Sequence, residues 1–193
     1  MLEASYASML FQVATGIGLA ASTGLRAFLP VFVVGVLGRL DLVPLRESFE
    51  WLGSTPALVI FGTAVVLEVL GDKIPGVDHF LDMAGTVIKP AAGALVVVAA
   101  LAEFPPLYAA VIGLLVGGSV SGSVHVAKAG LRAIVTGATV GTANPAVSAT
   151  EDSLSLGGAL LAIFYPVIFL LATFTAALLL LYAWRRRRRQ HAS

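Results

Sequence analysis

Three basic side chains share one face of a helix in the second half of the chain. His125, Lys128 and Arg132 stand at positions i, i+3 and i+7, which places them within a sector of about 60° on an α-helix. The stretch before Lys128, 104–127, contains no Asp, Glu, Lys or Arg. Because a charge in the middle of a bilayer costs at least about 2.5–3.5 kcal/mol, such side chains must face protein, water or an anionic partner. The spacing therefore predicts either a pocket for an anion or a phosphate head group, or a set of buried ion pairs.

The tetrapeptide Gly-Leu-Arg-Ala occurs twice, at Gly24–Ala27 and at Gly130–Ala133. The copies occupy the same part of two apolar segments of equal length, 4–40 and 104–140. Aligning the two copies matches Ser22 with Lys128 and Arg26 with Arg132. The candidate substrate-binding residues are therefore Ser22, Arg26, His125, Lys128 and Arg132.

Acidic residues cluster in the segment 68–82. Glu68 and Asp72 are spaced i, i+4, and Asp78 and Asp82 repeat that spacing with His79 beside them. Carboxylates and an imidazole could bind a divalent metal, for which the candidates are Asp78, His79 and Asp82. The acids could instead pair with Lys73 and with the basic face formed by His125, Lys128 and Arg132. Alternatively, Glu68 or His125 could couple a proton to transport.

A second acidic pair, Glu151 and Asp152, follows Asn144-Pro145. These acids would be favourable near the positive end of a helix, while Ser148 or Thr150 could cap it; gating of a substrate is the functional alternative. The candidates for coupling or ion pairing are Glu68, Asp72, Lys73, Asp78, Glu151 and Asp152.

The composition identifies the surroundings of these charges. Of 193 residues, 58% are hydrophobic and 12% charged, and the mean hydropathy is +0.95. Soluble domains carry roughly 25% charged residues, so a compact soluble domain is excluded. The chain has no Cys, which removes disulfides and thiolate sites. It also has no HExxH, GxSxG or P-loop motif, so we predict no cofactor, and only the terminal Arg run could suggest nucleic acid.

Charge-free windows predict an all-α, polytopic transmembrane bundle of about five spans in a single domain, the last span being 153–184. The segments 4–40 and 104–140 are too long for one crossing of a hydrocarbon core of about 30 Å, and both contain runs of Gly and Ser. We predict that both are broken inside the membrane. With five spans they would run in opposite directions, as an inverted repeat; seven crossings and a parallel repeat are the alternative.

The predicted repeat divides the chain into four parts. A first half covers about 4–72, a linking span 84–103, a second half 104–184 and a basic tail 185–193. Five consecutive arginines, Arg185–Arg189, predict a cytoplasmic C-terminus. Five crossings then place the N-terminus and the acidic loop before Ser153 outside.

Several stretches together resemble a known family. "GLRAFLP", "LEVLGDKIPGVDHFLDMAGTVIKPAAGAL", "HVAKAGLRA" and "NPAVSATEDSLSL" are similar to the bacterial membrane proteins catalogued as domain of unknown function 4126. The resemblance extends from about Gly16 to the last helix, and implies a multi-pass protein of the bacterial inner membrane without a settled activity. The predicted architecture, with broken helices and a buried Arg, is also similar to that of polyprenyl-phosphate and phospholipid translocases.

Three functions fit these features. The first is transport of a small anion or a lipid phosphate head group through a midplane cationic site. The second is a non-transporting scaffold or accessory subunit whose buried charges pair internally. The third and least favoured is an interfacial metal-dependent lipid enzyme. The predicted partners are the bilayer, an anionic lipid or small anion, and a second copy of the chain, since small-residue faces could pack helices within one chain or between two.

Overall fold

The computed structural model of the protein describes the backbone of residues 2–74 and 77–190. Within these ranges it describes all side chains except those of 2–5, 78, 79, 180, 181 and 183–190. The described chain is all-α, which confirms the predicted fold class. The helices are α1 Leu2–Leu25, α2 Phe28–Arg39, α3 Thr55–Gly71, α4 Val77–Ala100, α5 Pro106–Ile112, α6 Gly118–Thr139, α7 Asn144–Phe164 and α8 Pro166–Gln190, with a 3₁₀ helix at Glu47–Gly53 and a π-helical turn at Gly113–Gly117.

Helices α1, α4 and α6 pack against one another, and α1 runs antiparallel to α4. Gln12, in the first half of α1, accepts a hydrogen bond from the N–H of Glu103, just beyond the end of α4, at 3.1 Å. At the other end of α1, the carbonyl oxygen of Leu25 accepts one from Lys89, in the middle of α4, at 3.2 Å. The end of α1 therefore lies at half the height of α4.

The long helix formed by α5, the π-helical turn and α6 is also antiparallel to α4. Gly113 packs against Val98, and the hydroxyl of Ser121 donates to the carbonyl oxygen of Lys89 at 2.7 Å. Since α1 and α6 both run antiparallel to α4, they run in the same direction. This arrangement does not fit the predicted inverted repeat.

The predicted breaks are right for one segment and wrong for the other. The first segment is broken at Arg26-Ala27, between α1 and α2. Proline at position 30 explains the break, because its ring would clash with the carbonyl of Arg26 in a continuous helix. The fourth segment has no such proline after Pro106, and it continues unbroken from Pro106 to Thr139 through the π-helical turn.

Helix α2 turns back from α1, so that the pair forms an open hairpin with its tip at Arg26-Ala27, and α2 packs mainly against the 3₁₀ helix and α3. Just after α2, the N–H of Arg46 donates to the carbonyl oxygen of Ala99 at 3.1 Å, and its guanidinium to that of Leu101 at 2.9 Å. The end of α2 thus lies beside the end of α4, where Gln12 also lies. The tip of the hairpin is placed among α3, α4, α6 and α7.

The predicted last crossing, 153–184, is wrong, because two helices cover it. Pro166 forces Tyr165 out of the helical conformation, to φ −140° and ψ 57°. Helix α8 folds back on α7: Phe169 approaches Gly158 and also contacts Gly18 of α1. These contacts place the start of α8 beside α7; opposite faces for the arginine run and the acidic loop stay a prediction.

Three helical stretches of the described chain are long and apolar enough to cross a membrane. They are Tyr6–Leu25, Phe80–Ala100 and Pro106–Thr139. A fourth candidate is the bent pair Glu47–Gly53 and Thr55–Gly71, whose axes differ by 63°. Since α2 and the apolar part of α8 are shorter, the count of about five spans stays a prediction.

Candidate functional site

The break between α1 and α2 leaves backbone groups that charged side chains satisfy. One carboxylate oxygen of Glu68, on α3, accepts a hydrogen bond from the N–H of Ala27 at 2.8 Å, and the other from that of Phe28 at 3.2 Å. A negative charge is favourable there, because the first N–H groups of a helix carry its positive dipole end. Glu68 is therefore the N-terminal cap of α2.

Two lysines donate hydrogen bonds to the carbonyl end of α1. The ammonium groups of Lys89 and Lys128 both donate to the carbonyl oxygen of Leu25, each at 3.2 Å. Both side chains are buried, and both complement the negative dipole end of α1. The broken helix is thus held at each end by side chains of neighbouring helices.

Beside the break, three cations surround two carboxylates. Asp72 is in ion-pair contact with Arg26, with Arg132 at 3.1 Å and with Lys128 at 4.0 Å. Glu151 is in contact with the same three side chains, at 3.9 Å from Arg26, 2.8 Å from Arg132 and 3.0 Å from Lys128. Every cation of this set therefore contacts both acids. We call these five residues the charge cluster.

Two further acids flank the charge cluster where it is less buried. Asp152 Oδ1 lies 2.6 Å from Arg26 Nε, and Asp82 Oδ2 lies 3.6 Å from Arg132 Nη1. The side chains of Asp152 and Asp82 are 26% and 25% exposed, whereas that of Arg26 is 1% exposed. The ion pairs therefore extend from one partly exposed acid to another through a buried centre.

The guanidinium of Arg26 also donates to the hydroxyl of Ser148, on α7, at 2.8 Å. Some donors are less well served. Arg26 Nε, Arg132 Nε and Nη1, and His125 Nδ1 are buried and have no well-directed hydrogen bond to a described atom. Both arginines thus keep donor positions that a better-placed acceptor could use.

The surroundings of the break are not purely cationic. Counting only described side chains, four cations (Arg26, Lys89, Lys128 and Arg132) face five acids (Glu68, Asp72, Asp82, Glu151 and Asp152). A cavity of about 30 Å³ lies against Glu68, Asp72, Asp82 and Lys89, which is room for roughly one water molecule. In this conformation Arg26, Lys128 and Arg132 are paired with the protein's own carboxylates, and Lys89 donates to the carbonyl oxygen of Leu25.

The structure brings together most of the residues singled out from the sequence. Arg26, Lys128 and Arg132 meet Asp72 and Glu151, with Asp152 and Glu68 beside them. Others lie apart. Lys73 is exposed, His125 packs against Gly85 of α4, and the hydroxyl of Ser22 donates back to Gly18 of its own helix.

The metal-binding prediction falls largely on side chains outside the described part. The structure does not describe the side chains of Asp78 and His79. The third candidate, Asp82, lies near Arg132. Among the described residues, no group of three or more His, Asp or Glu side chains is arranged to hold a metal ion.

Sequence reasoning missed two members of the site. Lys89, in the middle of α4, is not among the candidates named from the sequence. Ser148 was considered only as a helix cap, whereas its side chain contacts Arg26. A sequence signal existed for Lys89, since it is the one Lys or Arg between positions 74 and 127; nothing comparable marked Ser148.

The comparisons with known proteins give a family. No curated protein and no solved structure matches the chain. The family model described as "Domain of unknown function (DUF4126)" matches residues 13–186, a range that contains every residue of the charge cluster. The chain therefore belongs to the DUF4126 family, and its own apolar helices fit a membrane.

Proposed function

We propose that this protein is a membrane transporter of an anionic solute, with Arg26, Lys128 and Arg132 as the anion site. One observation carries the proposal: all three cations contact the same two carboxylates, Asp72 and Glu151. Two carboxylates side by side present the charge and the acceptor atoms of a dianion such as phosphate. In this conformation they hold the place of the solute.

Protonation provides the means of exchange. A carboxyl group that takes up a proton loses its attraction for the three cations, and a solute anion can then replace it. The desolvation of three buried cations is offset in both states, first by the carboxylates and then by the solute. Transport is therefore coupled to protons, and an inward proton gradient drives uptake.

The broken helix supports movement at this position. The ends of α1 and α2 are satisfied by Glu68, Lys89 and Lys128, whose side chains can exchange partners without unwinding a helix. Broken helices with buried charges are where transporters place their sites. The two hairpins, α1–α2 and α7–α8, each contribute to the charge cluster and can tilt relative to α4.

Uptake by proteoliposomes tests the proposal. Radiolabelled inorganic phosphate is offered outside, with an acidic exterior, to the wild type and to the double variant Arg132→Gln/Glu151→Gln. This variant removes one cation and one acid and so keeps the charge balance. The matched control, Arg39→Gln/Glu50→Gln, also removes one of each, but from exposed positions.

We expect uptake by the wild type and by the control, and its loss in the cluster variant, which should remain folded by size-exclusion chromatography. Absence of uptake by the wild type, or uptake by the cluster variant equal to that of the wild type, overturns the proposal.

A second function is favoured by a different observation. Each cation of the charge cluster already has a carboxylate partner, as expected of a scaffold subunit with internally paired charges. In that case Arg132→Gln lowers stability and Glu151→Gln restores it, while the wild type moves no anion. The uptake experiment therefore separates the two functions.

The proposal also assigns a location. The resemblance implies a bacterial inner membrane, and the arginine run at the end of α8 favours a cytoplasmic position for that end. Because α8 folds back on α7, the loop before α7 then faces the cytoplasm as well. Thr142 in that loop is exposed, and the chain has no Cys. A Thr142→Cys variant should react with a membrane-impermeant maleimide in inverted vesicles and not in intact cells; the opposite pattern contradicts this orientation.

A further inference from the structure

The geometry points to an amphiphilic substrate: we propose that the transported anion is a phosphomonoester carrying an apolar chain, which lies in a groove beside the charge cluster. The inference rests on the proposed function and specifies its substrate class. It depends on three features: an apolar groove, the contact of this groove with the cluster, and a replaceable acid where they meet.

The groove has a volume of about 420 Å³ and lies between α1, α6, α7 and α8. Leu25, Val124, Leu154 and Phe169 are among the side chains that line it. Its volume is in the range of about 300–1,000 Å³ found for small-molecule sites. Because Leu154 is 58% exposed in a bundle that lies in a membrane, the groove is open to lipid and suits a hydrocarbon chain.

One end of the groove meets the charge cluster. Leu25, which lines the groove, is the residue whose carbonyl oxygen accepts from Lys128. Ser153, also in the lining, follows Asp152, which pairs with Arg26. A hydrocarbon chain lying in the groove thus ends beside Arg26 and Lys128 of the anion site.

Asp152 is a further acid, besides Asp72 and Glu151, that an incoming head group would replace. It is partly exposed, and although its oxygen lies 2.6 Å from Arg26 Nε, the two atoms are not aligned for a hydrogen bond. Arg26 is itself 0% exposed, so its Nε is a buried donor directed at a poorly placed acceptor. A phosphate oxygen arriving from the groove could accept this hydrogen bond with better geometry and extend to Lys128.

Filling the groove tests the inference. No described atom outside the neighbouring backbone lies within 4 Å of a Cβ placed on Gly157, which lines the groove, or on Gly137, which lies outside it. A side chain on Gly157 therefore begins in open groove space, so Gly157→Leu is the groove-filling variant and Gly137→Leu is its matched control. Native mass spectrometry would measure binding of dodecyl phosphate and of ethyl phosphate, which share a head group and differ in chain length.

We expect the wild type and Gly137→Leu to bind dodecyl phosphate at least about tenfold more tightly than ethyl phosphate, because only the longer chain is buried. Gly157→Leu should lose that preference and keep its affinity for ethyl phosphate. Arg132→Gln/Glu151→Gln should lose both ligands.

The remaining outcomes are distinct. If both phosphates bind equally well to the wild type, or if Gly157→Leu keeps the preference, the groove assignment fails and the anion site stands. If Arg132→Gln/Glu151→Gln binds dodecyl phosphate as the wild type does, the ligand binds through its alkyl chain without the charge cluster, and the inference fails. If neither phosphate binds to the wild type, the proposed function fails together with the inference.

Discussion

Two regions along the long helix from Pro106 to Thr139 are built in opposite ways. Toward one end, Gly117 lies so close to Gly93 that a Cβ on Gly117 would be 2.6 Å from the carbonyl oxygen of Gly93. Toward the other end, Lys128 and Arg132 contact the charged side chains of Asp72, just after α3, and Glu151 of α7. We call the first region the glycine contact. It resembles the small-residue packing of membrane helices, and the charge cluster has no counterpart to it.

The difference separates a fixed region from one that can rearrange. At the glycine contact, backbone meets backbone, so neither helix can shift without opening a void or a clash. In the charge cluster, each of three cations contacts both Asp72 and Glu151, so a cation can weaken one contact while it keeps the other. We infer that α4 and α6 pivot at the glycine contact while the cluster changes partners.

The largest effect on stability is expected in the charge cluster. Arg26→Gln removes the ion pairs with Asp72 and Asp152 and leaves a buried carboxylate short of a partner, which costs about 3–5 kcal/mol. Arg39→Gln, at an exposed arginine, should cost less than about 0.5 kcal/mol. Unfolding in mixed micelles measures both variants. If the two variants were equally stable, the ion pairs of the charge cluster would contribute as little as exposed ones do, and the cluster would have to be open to water.

The glycine contact should respond next. Gly117→Val places side-chain atoms against the backbone of Gly93, and overpacking of this kind costs typically about 1–3 kcal/mol. Gly137→Val puts the same side chain on α6 where the space is open, and it serves as the control for helix propensity. Thermal unfolding in detergent should show the larger decrease for Gly117→Val. Similar decreases would contradict close packing at this contact.

The pairing of Arg132 with Glu151 predicts a coupled effect. Each single change to Gln leaves the other charge buried, whereas the double change removes both. The double variant should therefore be more stable than the sum of the single effects indicates, by about 0.5–3 kcal/mol. A double-mutant cycle of unfolding free energies measures this difference. Additive effects would mean that the contact at 2.8 Å contributes nothing to stability.

The smallest effect is expected at the cap of α2. Glu68→Gln keeps an acceptor for the N–H of Ala27 but removes the charge that faces the helix terminus, at a cost of about 0.5–2 kcal/mol. Hydrogen exchange should become faster at Ala27 and Phe28 and stay unchanged at the glycine contact. Glu50→Gln, at an exposed acid, is the control. Unchanged exchange at both amides would remove Glu68 from its role as cap.

The break and the continuous helix show how far the sequence could predict the fold. Runs of Gly and Ser in both long segments suggested two breaks, but only the first segment also has a proline, Pro30, that prevents a continuous helix. In the other segment the same kind of run provides the close approach of Gly117 to Gly93. Small residues therefore indicate either close packing or a break. In the first segment Pro30, four residues after Arg26, decides in favour of a break.

The candidate site was predictable in part for a similar reason. Helical spacing placed Lys128 and Arg132 on one face, and the cost of buried charge required partners for them. Which acids would be the partners could not be derived, because Asp72 and Glu151 are 79 residues apart in sequence and come together only around the cations of the break and of α6. The same holds for Lys89, whose role depends on the carbonyl oxygen that the break in α1 leaves free.

Proton uptake on anion binding tests the central claim most directly. If Asp72 and Glu151 occupy the anion site, a solute anion must displace them, and a displaced carboxylate in a buried site takes up a proton. Inorganic phosphate, adjusted to the same pH, would be added to the purified protein in weakly buffered detergent solution, and a pH indicator would report the protons. The account predicts proton uptake by the wild type, binding that tightens as the pH falls, and no uptake by Asp72→Asn/Glu151→Gln. Phosphate binding to the wild type without proton uptake would contradict it.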